Sequence, residues 1–182
     1  RNAGRVLLDL GRAEEAVGHL NAALHKQADG GETLVYLGEA LARLGQEKDA
    51  MEKFRRAIAS DPGLVSAHFN LAQLLVKHNE PEKALAHFQE VEKRSPEMVP
   101  ALFNIALLHS KLGSYEESAL YFEKLITLVP PDADLYNTLG VQLLMLGRLN
   151  KAEEAFLQAL EVDAGHAYAR RNLQIVSNVR RR

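Results

Sequence analysis

Gly11, Gly45, Asn79, Gly113 and Gly147 recur at a constant spacing of 34 residues. A second set of residues keeps the same register. Five positions beyond each stands a small residue (Ala16, Ala50, Ala84, Ser118, Ala152), and four further on a bulky apolar one (Leu20, Phe54, Phe88, Phe122, Phe156). Seven positions before each stands another small residue (Gly4, Gly38, Ala72, Ala106, Gly140), itself preceded by Ala3, Leu37, Leu71, Ile105 and Leu139. A period this short and strict means one supersecondary unit repeated along the chain. Each copy is too small to bury its own apolar face and must stack on its neighbours.

The repeated residues have separate physical causes. A glycine at the end of a first helix lets the backbone turn left-handed, and Asn79 is the side-chain-bearing residue that best tolerates that turn. Pro62, Pro96 and Pro130 close second helices, which proline cannot continue. The small residues predict close crossing of two helices, and the phenylalanines are expected to fill the space between successive hairpins. Acidic pairs at Glu14/Glu15, Glu116/Glu117 and Glu153/Glu154 suit helix starts. The spacing predicts first helices over 31–44, 64–78, 98–112 and 132–146. It predicts second helices over 13–27, 47–60, 81–94, 115–129 and 149–162. Residues 1–10 read as the tail of a first helix, and 165–181 as a final helix with an apolar stripe of Ala169, Leu173 and Val176.

These residues resemble the tetratricopeptide repeat family, whose unit is a 34-residue helix–turn–helix. The resemblance covers nearly the whole chain. It implies an all-α fold, a right-handed superhelical α-solenoid with a C-terminal capping helix. The whole chain, 1–182, then forms a single array: a partial repeat at 1–30, repeats at 31–64, 65–98, 99–132 and 133–164, and a capping helix at 165–182. The sequence departs from the family's aromatic preference at two first-helix positions. One holds Leu34, His68, Leu102 and Tyr136, and the other Leu7, Leu41, Leu75, His109 and Leu143.

The composition excludes several classes. The chain is 47% hydrophobic and 25% charged, which is ordinary globular usage. A net charge of −2 gives no overall bias toward nucleic acid. Arg170, Arg171 and the terminal Arg180, Arg181 and Arg182 cluster locally, but aromatic interleaving is poor, so nucleic acid is disfavoured as a partner. No cysteine is present, so there is no disulfide framework and no thiolate metal site. That fits the cytosol without fixing a compartment. No apolar run reaches the ~20 residues of a membrane span. The chain opens on Arg1 and reads as a piece of something longer.

The resemblance implies a concave face lined by first helices, which in this family is where a ligand is held. The register places one row at Val35, Phe69, Phe103 and Asn137. The next is Tyr36, Asn70, Asn104, Thr138 and Asn172. A turn later come Glu39, Gln73, Leu107 and Val141, and then Arg43, Lys77, Lys111 and Met145. Asparagine is a mediocre helix former, yet it recurs in register at 70, 104 and 172. A side-chain amide offers both donor and acceptor to a peptide backbone. The row resembles the asparagine ladder in the repeat array of O-linked GlcNAc transferase. Either these amides meet a peptide or they bond between adjacent helices. Phe69 and Phe103, flanked by Tyr36 and Leu107, either form an apolar anchor patch or are partly buried. Arg43, Lys77 and Lys111 either attract an acidic segment or form a solvated face.

The family's carboxylate clamp for heat-shock chaperone tails is missing. Around Asn70 the matching positions hold Val35, Glu39, Pro100 and Asn104. The seven histidines include no i,i+3 or i,i+4 pair, and no phosphate-binding loop is present. The reading is of a non-enzymatic chain with no cofactor and no metal, a scaffold for another protein or an extended peptide. The alternative is a structural, targeting or oligomerisation segment of a larger assembly, with self-association through the array ends.

Overall fold

A computed structural model describes residues 2–26 and 30–181. Gln27, placed above in a second helix, and Arg1 and Arg182 lie outside the described residues. Among those described there are eleven α-helices and no strand: α1 (Asn2–Asp9), α2 (Ala13–Lys26), α3 (Gly31–Arg43), α4 (Glu47–Ser60), α5 (Val65–Lys77), α6 (Pro81–Arg94), α7 (Val99–Lys111), α8 (Tyr115–Leu128), α9 (Ala133–Met145), α10 (Leu149–Val162) and α11 (Ala167–Arg180). The chain divides into two compact units, residues 1–96 and 97–182.

In the first unit α1–α2, α3–α4 and α5–α6 are hairpins, with α2 on α3 and α4 on α5. In the second, α7–α8 and α9–α10 are hairpins, with α8 on α9 and α10 on α11. The turns inside the hairpins are alike. Gly11, Gly45, Gly113 and Gly147 have φ between 70° and 78°, and Asn79 has φ 59°. At Asn79 the amide bonds the Val76 carbonyl at 3.0 Å, and the Glu80 amide bonds that of Leu75 at 2.9 Å. This paired closure satisfies carbonyls the helix end would leave open. Asparagine therefore takes the same conformation that glycine takes in the other four turns.

The buried phenylalanines correct one expectation. Phe54, Phe88, Phe122 and Phe156 are all 0–1% exposed, but they do not only fill space between hairpins. Phe54 lies over Gly38 and Phe156 over Gly140, each within its own hairpin, so close that a β-carbon would meet ring atoms at 2.6 Å and 2.5 Å. Phe54 also reaches the next hairpin, where it shares a hollow with Asn70 and Leu74. At the second small position Ser118 is buried, and its hydroxyl donates to the Ala106 carbonyl at 2.8 Å. Its polar atom is thus satisfied where alanine stands in the other repeats.

Two histidines pair inside the first unit. His68 (α5) is 6% exposed, and its Nδ1 lies 3.0 Å from Nδ1 of His87 (α6). Burial lowers the pKa of both rings. The neighbouring imidazole and then Arg55 lower His87 further; at His68 the Pro62 carbonyl and then Glu90 oppose the fall and Arg94 adds to it, and Glu90 opposes at His87 too. The folded state therefore binds protons less well than the unfolded chain. The stability this pair permits is complete above about pH 6.5, the ordinary imidazole value, and is lost as pH falls through it toward the lowered folded values. Leucine holds the position of His68 in two other repeats, as Leu34 and Leu102. His68→Leu is expected to flatten the fall in urea midpoint between about pH 7.5 and 5. An unchanged slope would show that the pair does not govern it. Glu90, held down to about 2 first by Lys93 and then by Arg94, titrates well below that window.

Candidate functional site

The two units present their first-helix faces differently. In the first, Val35 is only 3% exposed. It was placed on the ligand face, but α3 contacts α1, α2, α4 and α5, and the side chain is core. Tyr36 and Phe69 are half-buried, and Phe69 meets the core ring of Phe88 edge-on, centroids 5.5 Å apart. What remains open is polar. Asn70 Nδ2 donates to Glu39 Oε1 at 2.8 Å, joining α5 to α3. With Gln73 and Arg43 these residues line a hollow of about 400 Å³. Burial raises the Glu39 pKa, opposed first by the Asn70 bond and then by Arg43, with Asp9 adding to the rise.

In the second unit the face is apolar and more open. Phe103 and Leu107, one turn apart on α7, are 42% and 41% exposed. Phe103 still touches Phe122 edge-on at 6.1 Å. Between them Asn104 Nδ2 donates to the Pro100 carbonyl of its own helix at 2.7 Å. On α9, Thr138 bonds the Asp134 carbonyl, and Val141 is half-buried. Asn137 Oδ1 accepts from Asn172 Nδ2 at 2.9 Å, which joins α9 to α11. The three asparagines in register thus have three kinds of partner: a carboxylate on a neighbouring helix, a carbonyl of the same helix, and a second amide. Each amide uses one N–H in these bonds, out of two donors and a carbonyl acceptor.

Arg43 and Lys77 of the basic row have partners on other helices. Arg43 donates to the Leu8 carbonyl in the last turn of α1, where a helix end favours a cation. Lys77 pairs with Glu47 at the start of α4, and His78 joins the same carboxylate at 2.9 Å. Lys111 is exposed. In the C-terminal cluster Arg170 bonds the Ala164 carbonyl at 2.7 Å, and Arg180 bonds Glu153 and Asn150, both at 2.6 Å. Among the described residues no group of three or more histidines or carboxylates is placed to hold a metal, and no helix is long and apolar enough to cross a membrane.

One feature was not anticipated. The second unit holds a hollow of about 530 Å³ between the start of α7, the end of α8 and the start of α9. Its walls are Val99 and Phe103, Leu125, the Val129–Pro130–Pro131 turn, and Leu135 with Thr138; Asp132 and Asp134 complete it. The sequence carries a signal for it. The residues at this junction are Gly30, Leu64, Met98, Asp132 and His166 in successive units, so the long apolar side chain of the two preceding junctions gives way to a short acid here.

Comparison with known proteins agrees with this architecture. No curated protein matches the sequence significantly. Among solved structures, YrrB, described as a TPR protein with an unusual peptide-binding site, superposes with a TM-score of 0.82 at 21% identity, covering 92% of this chain and 87% of that one. MamA from Desulfovibrio magneticus gives a TM-score of 0.77 at 23% identity, with 92% and 94% covered. A tetratricopeptide repeat protein from Parabacteroides merdae gives 0.77 at 20%, with 96% and 70% covered. At these identities the likeness carries the fold alone. Models of the tetratricopeptide repeat match residues 1–65, 69–133 and 133–166. That agreement extends through all the helical hairpins and the left-handed turns within them, and the chain belongs to the tetratricopeptide repeat family.

Proposed function

We propose that this protein is a non-enzymatic interaction scaffold whose first-helix face holds a segment of another polypeptide. The observation that carries this reading is on α7. Phe103 and Leu107 expose apolar surface on successive turns, with the Asn104 amide between them. Apolar anchors beside an amide suit a peptide, which offers side chains to the first and backbone groups to the second. The polar hollow around Asn70, Glu39 and Gln73 gives the first unit a complementary surface. YrrB, a protein of the same fold, is described as having a peptide-binding site.

Asn70 is a poor position for the test, because it also joins α5 to α3. Asn104 bonds only within its own helix, and Leu107 is exposed, so Asn104→Ala with Leu107→Lys probes the face without opening a cavity. Peptides selected from a random displayed library against the protein are expected to bind this variant at least about tenfold more weakly, a loss of about 1.4 kcal/mol. Undiminished binding, with circular dichroism showing both proteins folded, would place the contact elsewhere.

A further inference from the structure

Asp132 stands at the rim of the 530 Å³ hollow. In the first unit Leu64 occupies the equivalent position. Its Cδ1 lies over the start of α3, only 2.8 Å from where a β-carbon on Gly31 would stand. Asp132 is shorter, and its carboxylate turns back to its own helix, where Oδ1 accepts from the Leu135 amide at 2.8 Å. The space over Val99 at the start of α7 is left unfilled, with Leu125 and Val129 as floor and wall. Its volume falls within the roughly 300–1,000 Å³ typical of specific pockets.

The opening carries a definite charge. Asp132 and Asp134 are both exposed, the Asp134 side chain 88% so. No Lys or Arg lines the hollow. His166 meets Asp134 Oδ1 at 2.9 Å through Nε2, while its Nδ1 accepts from the Ala169 amide at 3.0 Å. With Nδ1 accepting from that amide, Nε2 is the ring nitrogen left to donate to Asp134 Oδ1.

We infer that this hollow is an anchor pocket for one aromatic side chain of a bound polypeptide, with a flanking Lys or Arg of that polypeptide pairing with Asp132 and Asp134. The inference rests on the scaffold reading and adds to it the chemistry of the partner. An aromatic ring supplies large apolar area at low entropic cost. A cation beside it makes charge-assisted bonds to the two carboxylates. Phe103 and Thr138 link the pocket to the exposed face, so a segment lying on α7 reaches it without a break.

The probes are three blocked tripeptides: acetyl-Lys-Trp-Lys-amide, acetyl-Glu-Trp-Glu-amide and acetyl-Lys-Ala-Lys-amide. Each is titrated into the ¹⁵N-labelled full chain while amide shifts are followed. The first is expected to move the amides of Val99, Val129, Leu135 and Thr138 saturably, and to bind at least about fivefold more tightly than the other two. Asp134→Asn keeps the acceptor for His166 and removes the charge, and should erase the preference for lysine over glutamate. Asp132→Leu restores the side chain found at Leu64 and should abolish the shifts; should that variant unfold, Asp134→Asn decides alone. No saturable shift up to millimolar probe, equal binding of the three probes, or shifts centred elsewhere would overturn the pocket. If the pocket fails while library peptides still depend on Asn104 and Leu107, the scaffold reading stands and only this inference falls.

Discussion

Replacing Phe88 by alanine is expected to lower stability by about 3–5 kcal/mol. The ring is fully buried and meets Phe69 edge-on, so truncation removes both apolar burial and an aromatic contact. The neighbouring hairpin cannot collapse into the gap without disturbing its own register. In a repeat protein stability is nearly a sum of local terms, so the loss should concentrate in residues 1–96. Urea denaturation gives the magnitude, and amide hydrogen exchange gives the location. Gln89→Ala is the control, one residue along the same helix and exposed, with an expected effect within about 0.5 kcal/mol. A Phe88→Ala midpoint no lower than that of the control would remove the ring from the core.

The second large effect comes from adding atoms. Gly140 lies beneath Phe156, and a β-carbon there would stand 2.5 Å from Cε1 and 2.6 Å from Cδ1 of the ring. The ring is fully buried, so making room for added atoms must disturb its neighbours. Gly140→Val is expected to cost about 1–3 kcal/mol by overpacking. Phe156→Leu alone should also destabilise, yet in the presence of Gly140→Val it should recover part of the loss, because the smaller side chain makes room. Residues in contact show coupling of about 0.5–3 kcal/mol. Strict additivity in this double-mutant cycle would mean that the two positions do not touch.

The fold was legible in the sequence because its determinants are local and periodic. A left-handed turn needs glycine or asparagine at one place in each unit, and a close helix crossing needs a small residue at another. Both therefore print a 34-residue rhythm that requires no knowledge of distant contacts. Helix bounds came within a residue or two for the same reason. The ligand face was less legible, because exposure depends on neighbours rather than on register. Val35 and Phe103 hold equivalent positions, yet one is core and the other is 42% exposed. The asparagine row was visible, but its partners were not. Asn70 finds a carboxylate 31 residues away, and Asn104 a carbonyl four residues away. Arg43 was read as surface charge because nothing in its own helix reveals the Leu8 carbonyl. The Asp132 hollow lay between these cases. The break in the series Leu64, Met98, Asp132 was on the page, but only the packing over Val99 gives it meaning.

Helix α11 is held at both of its ends. His166 holds the first turn of α11 by accepting from Ala169 and reaching Asp134 on α9, and Arg180 ties its last turn to Glu153 and Asn150 on α10. Between them Ala169 and Val176 are buried. A helix fixed only by its apolar stripe would melt progressively from one end, each amide exchanging with solvent at its own rate. A helix pinned at both extremities opens as one body. The central amides of α11 should then share a single exchange free energy, and His166→Ala should spread those values into a gradient along the helix. A gradient already present in the parent protein would mean that the two pins do not act together.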